Sequence, residues 1–156
     1  MAYTQPPPMT MQEAESFLRE AKVARFCSLN KDGTIHAAPV WYKYENGEII
    51  VATPPASRKA RNVRRNKNVT VLVDISEGGV WPKGVIVYGK AELTPDTMQI
   101  PEAVSLLEKY RSGDKAEAYA RGLFKLTKWV KITVKPERMA SFDYSKDEAY
   151  QSAVEG

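Results

Sequence analysis

Two tight-turn signals decide how the first half of this chain can fold. Lys31-Asp32-Gly33 and Glu45-Asn46-Gly47 each hold an Asp-Gly or Asn-Gly pair, which tolerates the positive φ that short hairpin turns demand. They delimit strands near 24–30, 34–44 and 48–53. Further strand-like runs follow at 69–75 and 85–93. Trp129-Val130-Lys131-Ile132-Thr133-Val134-Lys135 then alternates cleanly, and 138–142 reads as a last edge strand. Short strands joined largely by hairpins exclude a doubly wound sheet, which needs a helix between most strands. The pattern predicts a mainly β protein, an antiparallel barrel-like sheet with peripheral helices.

The helices are legible from caps and apolar stripes. Thr10-Met11-Gln12-Glu13 is a capping box, and Met11, Ala14, Phe17, Leu18 and Ala21 share one face of a helix ending near Lys22. Met98 to Arg111 forms a second helix, with Pro101 in its first turn and Ile100, Val104, Leu107 and Tyr110 as its stripe. A shorter one runs from Asp114 to Arg121 and is expected to stop at Gly122. A single domain over 10–145 follows, flanked by an extended lead at 1–9 and a polar tail at 146–156 that frays.

Several function classes drop out. The lone cysteine, Cys27, is read as a buried inert thiol; it cannot form an internal disulfide, and with one histidine, His36, it makes no metal-ligand set. Ser28, Ser57 and Asp74 form no nucleophile–base set. The amino terminus lacks the basic start and apolar core of a secretory signal, and no run is long enough to span a membrane, so a cytoplasmic protein is expected.

Charge is concentrated in one place. From Ser57 to Asn68 there are six cations, Arg58, Lys59, Arg61, Arg64, Arg65 and Lys67, and no acid; elsewhere 17 basic residues face 19 acidic ones. Such local basicity points to a small anionic ligand rather than a broad nucleic-acid face. With Ser57 as N-cap, Arg58 and Lys59 fall in a first helical turn, where the dipole disfavours cations by about 0.3–1 kcal/mol each. A phosphate there would accept the free first-turn amides and charge-assisted bonds from both side chains. The alternatives are a solvated basic helix and, less well supported, nucleic-acid binding. Arg61, Arg64 and Arg65 are read as solvated.

The order of these elements carries a resemblance. Asp32-Gly33-Thr34-Ile35-His36-Ala37-Ala38-Pro39-Val40-Trp41, then Val51-Ala52-Thr53, Ser57-Arg58-Lys59-Ala60-Arg61-Asn62 and Val87-Tyr88-Gly89-Lys90-Ala91-Glu92-Leu93 occur in sequence. Together they resemble the pyridoxamine 5′-phosphate oxidase-like, FMN-binding split β-barrel superfamily over residues 10 to 142. The resemblance implies a homodimer with flavin at the subunit interface and a small-molecule substrate, acting by hydride transfer through flavin N5. It places Ser57, Arg58 and Lys59 on the FMN phosphate. It sets His36, Ala37, Ala38, Pro39, Val40 and Trp41 beside the ring, and Ala52 and Thr53 along the ribityl chain and ring edge. Asn62 is read as a brace of the phosphate loop or as a surface residue, and His36 as a structural or cleft-lining residue rather than a proton donor.

Two departures set limits. Gly84 stands where the oxidase branch commonly has a flavin-contacting Gln, and the carboxy-terminal Arg and His substrate motif has no match, which argues against oxidation of pyridoxamine phosphate itself. A sister branch uses a deazaflavin, and Lys59, Arg61 and Asn62 fit its phosphate element too, with Arg64 or Lys67 available to a longer anionic tail. A flavin carrier or redox sensor without turnover is a further alternative. No side chain is assigned as acid or base. Trp41, Trp81 and Trp129 are the rings placed to meet a flavin or a partner subunit.

Overall fold

The computed structural model describes residues 5–76 and 81–155. Seven strands form one antiparallel sheet, curled into a half-barrel: β1 (Ala24–Leu29), β2 (Ile35–Val40), β3 (Lys43–Glu45), β4 (Glu48–Thr53), β5 (Asn68–Ile75), β6 (Lys83–Leu93) and β7 (Val130–Asp143). Their spatial order is β2-β1-β5-β6-β7-β4-β3. Strands β2 and β3 therefore lie at opposite edges of the sheet, yet only residues 41 and 42 separate them in the chain. That short crossing brings the edges together and leaves a seam between them.

Both hairpin turns form as read, and Asn46 and Gly47 adopt φ of 52° and 74°. The last strand differs from expectation. Instead of a strand and a separate edge, β7 is one 14-residue strand in the middle of the sheet, paired with β6 and β4. The gap between the two expected runs, at Pro136 and Glu137, is absorbed by a register shift between Tyr88 and Gly89, where proline's missing N–H is tolerated.

Inside the curl, alternate residues of every long strand form the core, with Phe26, Tyr42, Ile49, Val51, Val71, Val87 and Ile132 fully buried. Helix α1 (Met11–Glu20) closes one end, capped by the reciprocal Thr10–Glu13 pair and burying Phe17 and Leu18. Ahead of it, Met9 N donates to Ser141 Oγ, and Asp143 N donates to Pro7 O. Helix α2 (Arg58–Arg65) follows β4. Helices α3 (Ile100–Leu107) and α4 (Asp114–Leu126) form a hairpin against the seam, with a small core of their own around Met98, Ala103, Leu107, Ala116 and Ala120. Beyond a 3-10 turn at Tyr144–Lys146, α5 (Glu148–Glu155) sets Tyr150 against Tyr144 and edge-on to Trp81.

Gly122 does not stop α4, which continues one turn further to Leu126. The continuation brings Leu123 and Phe124 against the barrel. Both side chains are half-buried there, and at about 25 cal/mol per Å² of apolar area removed from water the two together offset the roughly 1 kcal/mol that an interior glycine costs.

The α3–α4 hairpin is tied down by Lys109. Its ammonium donates to Ala21 O at the carboxy end of α1 and lies 3.6 Å from the Tyr42 ring centroid. Burial, with a smaller push from Lys22, lowers it to about 8. Its folded pKa thus lies below its unfolded value, so from about pH 8 the unfolded chain binds the proton more firmly and stability rises with pH. Lys59, lowered by burial, acts in the same sense. Above about pH 10 the hydroxyls of Tyr42, Tyr44 and Tyr110, raised chiefly by burial, act in the opposite sense. Urea unfolding from about pH 8 to about pH 10 is expected to show a rising free energy, and Lys109→Met to flatten that rise. An equal slope in the variant assigns the effect elsewhere.

Candidate functional site

The candidate site is built where β4 hands over to α2. Thr53, fully buried at the strand end, donates from Oγ1 to Ser57 Oγ at 2.7 Å. Ser57 N donates to Pro54 O, closing the turn, and Ser57 Oγ accepts from Ala60 N at 3.2 Å. Ser57 is therefore the N-cap, as its position before the basic run suggested. The amides of Arg58 and Lys59 have no acceptor among the described residues. The first turn carries no acid.

Lys59 is the cation that matters most here. It is half-buried, burial holds its ammonium below the usual lysine range, and it makes no ion pair among the described residues. Arg58 is exposed at the same helix end. A half-buried, unpaired ammonium beside two open amides is an electropositive corner that an anion would neutralise.

The later cations lie at the surface, as expected, and two of them also donate hydrogen bonds. Arg64 Nη1 donates to Pro55 O at 2.7 Å, tying the end of α2 to the turn that precedes it. Arg65 Nη2 donates to Leu29 O and to Asn62 Oδ1. All four later cations, Arg61, Arg64, Arg65 and Lys67, are exposed, and Arg64 and Arg65 are in addition held by these acceptors. Asn62 is fully buried, with Nδ2 donating to Ser28 Oγ and Asn30 Oδ1 at 3.0 Å each. It braces α2 against β1, one turn behind the electropositive corner. It is not a surface residue.

Between this corner and the seam lies a cavity of about 310 Å³. Of the expected site residues, Pro39, Val40, Trp41, Ala52, Thr53 and Lys59 line it together. Ser57 and Arg58 stand at its edge in the chain, without lining it. His36 and Ala38 share the inward side of β2 with Val40, while Ala37 is exposed on the other side. The Nδ1 atom of His36 is buried without a hydrogen-bond partner among the described residues.

Of the opposite wall, the sequence indicated only Trp129. Leu106, Leu107, Tyr119, Leu123 and Phe124 of the α3–α4 hairpin face the cavity, with Trp129 from the start of β7. Trp129 Nε1 donates to Leu123 O at 3.1 Å, which fixes the ring against the end of α4. Trp81 lies away from the cavity, against Tyr150. The aromatic residues and leucines of the two helical stripes carry no signal that separates a cavity wall from core.

A cavity lined by aromatic and aliphatic side chains, with one cation at its edge, suits a planar ring carrying an anionic group. The donor set beside it, open amides plus Lys59 and Arg58, suits a phosphate. The residues present therefore fit a flavin mononucleotide. At Gly84, where a flavin-contacting Gln was considered, an added Cβ would meet Val73 O at 2.8 Å and Phe142 Cζ at 2.7 Å. That position is closed to any side chain unless the sheet shifts.

No curated protein matches the chain. Among solved structures, a conserved hypothetical protein from Mycobacterium tuberculosis is 25% identical, with a TM-score of 0.75 and 92% of each chain covered. A FAD-binding protein from Mesorhizobium loti is 24% identical at a TM-score of 0.64, covering 86% of this chain and 95% of that one. An F420 reductase is 17% identical at a TM-score of 0.56, covering 80% and 94%. The last two show a shared fold. The model of the pyridoxamine 5′-phosphate oxidase family matches residues 10–138, spanning the sheet into the first part of β7, the electropositive corner and both walls of the cavity, and the chain belongs to that family.

Proposed function

We propose that this protein is a cytoplasmic FMN-dependent oxidoreductase that acts as a homodimer on a small-molecule substrate. The observation that carries the reading is the half-buried Lys59, without an ion-pair partner among the described residues, at the edge of an aromatic cavity and beneath open helix amides. In this reading Arg58, Lys59 and the first-turn amides of α2 hold the phosphate. The backbone from His36 to Trp41, β2 and the first residue after it, orients the ring, and Ala52 and Thr53 lie along its side chain. Trp41, Phe124 and Trp129 exclude water from the ring. The flavin supplies hydride transfer at N5, so the chain need contribute no acid or base.

The dimer is supported by the outer face of the sheet. Ile35 is 70% exposed, and Ala37 and Pro39 beside it are exposed on an edge strand with no further strand paired to it among the described residues. An apolar edge of that kind favours a covering partner. No helix among the described residues is long and apolar enough to cross a membrane.

A deazaflavin is the second reading. It is favoured by the exposed Arg61 and Lys67, which could accompany a longer anionic tail, and by the fold shared with an F420 reductase. A carrier or sensor that binds flavin without turnover is the third.

The test is the visible spectrum and a fluorescence titration of the purified protein with FMN and deazaflavin. This is followed by anaerobic reduction with NADH, NADPH or reduced deazaflavin. A flavin band and hydride exchange with one donor are expected. Failure to bind either cofactor removes the flavin reading; binding without exchange from any donor leaves the carrier.

A further inference from the structure

Trp41 and Tyr42 cross the seam between β2 and β3, and neither belongs to a strand ladder. The backbone of Tyr42 is nevertheless satisfied. The Tyr110 hydroxyl accepts from Tyr42 N at 2.9 Å and donates to Tyr42 O at 3.2 Å. One side chain does for Tyr42 what a neighbouring strand does for the residues on either side. The same Tyr110 ring lies flat on the Trp41 indole, with centroids 4.4 Å apart and planes inclined by 7°. Tyr119 packs on Trp41 as well, at 5.7 Å. Trp41 lines the cavity, and Tyr110 does not.

We propose that Tyr110 is a positioning residue: it fixes the Trp41 indole as a rigid wall of the cavity and so sets affinity for the ligand's planar ring without touching it. A tryptophan on an unladdered two-residue crossing has no strand neighbour to restrain its backbone. Ordering it on binding would cost affinity, and the double hydrogen bond and the stack order it beforehand. The phosphate corner sits on α2, away from Tyr110, so this effect falls on the ring alone. The inference rests on the reading of this cavity as the flavin-ring site.

The test combines titrations of FMN and riboflavin with a double-mutant cycle. Tyr110→Leu is expected to weaken both ligands by the same factor, about three- to tenfold, as for loss of one aromatic pair. In a Trp41→Leu background the same change is expected to add little, because the residue it acts through is gone. Undiminished affinity in Tyr110→Leu, or a loss that multiplies in full in the double variant, overturns the proposal. Tyr110→Phe keeps the stack and removes only the two hydrogen bonds, so it serves if Tyr110→Leu does not fold.

Hydrogen exchange at the Tyr42 amide gives a readout without ligand. Faster exchange in Tyr110→Phe, with the near-ultraviolet circular dichroism of the stacked pair altered, is expected; unchanged exchange overturns the bracing role. Should the native protein bind neither flavin, the functional reading fails by that result, while the exchange measurement still decides the bracing.

Discussion

Replacing both Arg58 and Lys59 by alanine is expected to weaken FMN binding by about 3–6 kcal/mol, since each charge-assisted hydrogen bond contributes about 1.5–3 kcal/mol. The two residues are not expected to share the loss equally. Lys59 is half-buried beside the cavity, where a charge is less screened, whereas Arg58 stands in solvent. Lys59→Ala alone is therefore expected to carry the larger part, and the contribution of Arg58 to fade as salt is raised. Riboflavin, which lacks the phosphate, is expected to bind the native and double-variant proteins alike.

The unliganded protein is expected to respond in the opposite direction at Lys59. An ammonium held below its usual pKa by burial, with no ion-pair partner among the described residues, destabilises the folded state. Lys59→Met keeps the stem and removes the charge, so the free protein gains stability while FMN affinity falls. Opposite signs in those two measurements would mark Lys59 as a residue held in place for a ligand. Equal FMN affinity in the native protein and the double variant would sink the phosphate assignment.

The parts of this site that could be read from sequence are those set by local chemistry. Ser57 caps α2 because a serine hydroxyl before a helical run satisfies first-turn amides whatever surrounds it. Asp32-Gly33 and Asn46-Gly47 make turns because their backbones tolerate positive φ, as Gly33, Asn46 and Gly47 do here. What was not legible depends on distant partners. Arg64 and Arg65 are surface charges, as they read, but which carbonyls they donate to, those of Pro55 and Leu29, is set by the fold. Asn62 looks equally surface-like until β1 presents Ser28 and Asn30. The apolar stripe of a helix has the same composition whether it meets core or cavity, so Leu106, Leu123 and Phe124 gave no sign that they wall a pocket. Gly122 reads as a stop from local propensity alone, while the packing that extends α4 to Leu126 comes from residues distant in the chain.

The same dependence on distant partners makes Gly89 the most sensitive point of the barrel. It lies in the Gly-Lys-Ala-Glu run of β6, opposite Pro136, at the register shift that lets β7 continue as one strand. A Cβ added there would sit 2.3 Å from Lys135 O and 3.2 Å from Pro136 Cα. Both are backbone atoms, so no rotamer change relieves the overlap; β6 and β7 must separate. Gly89→Ala is expected to cost about 3 kcal/mol or more, at the upper end of overpacking penalties, read as a lowered urea midpoint. Gly33, whose φ is 86° with open space around it, is the comparison. Gly33→Ala suffers backbone strain but no clash, so its loss is expected to be smaller, about 1–2 kcal/mol. A Gly89→Ala loss no greater than that of Gly33→Ala would show that the two strands can part without cost. The shift at Gly89 would then be a tolerated irregularity rather than the hinge on which β7 spans the sheet.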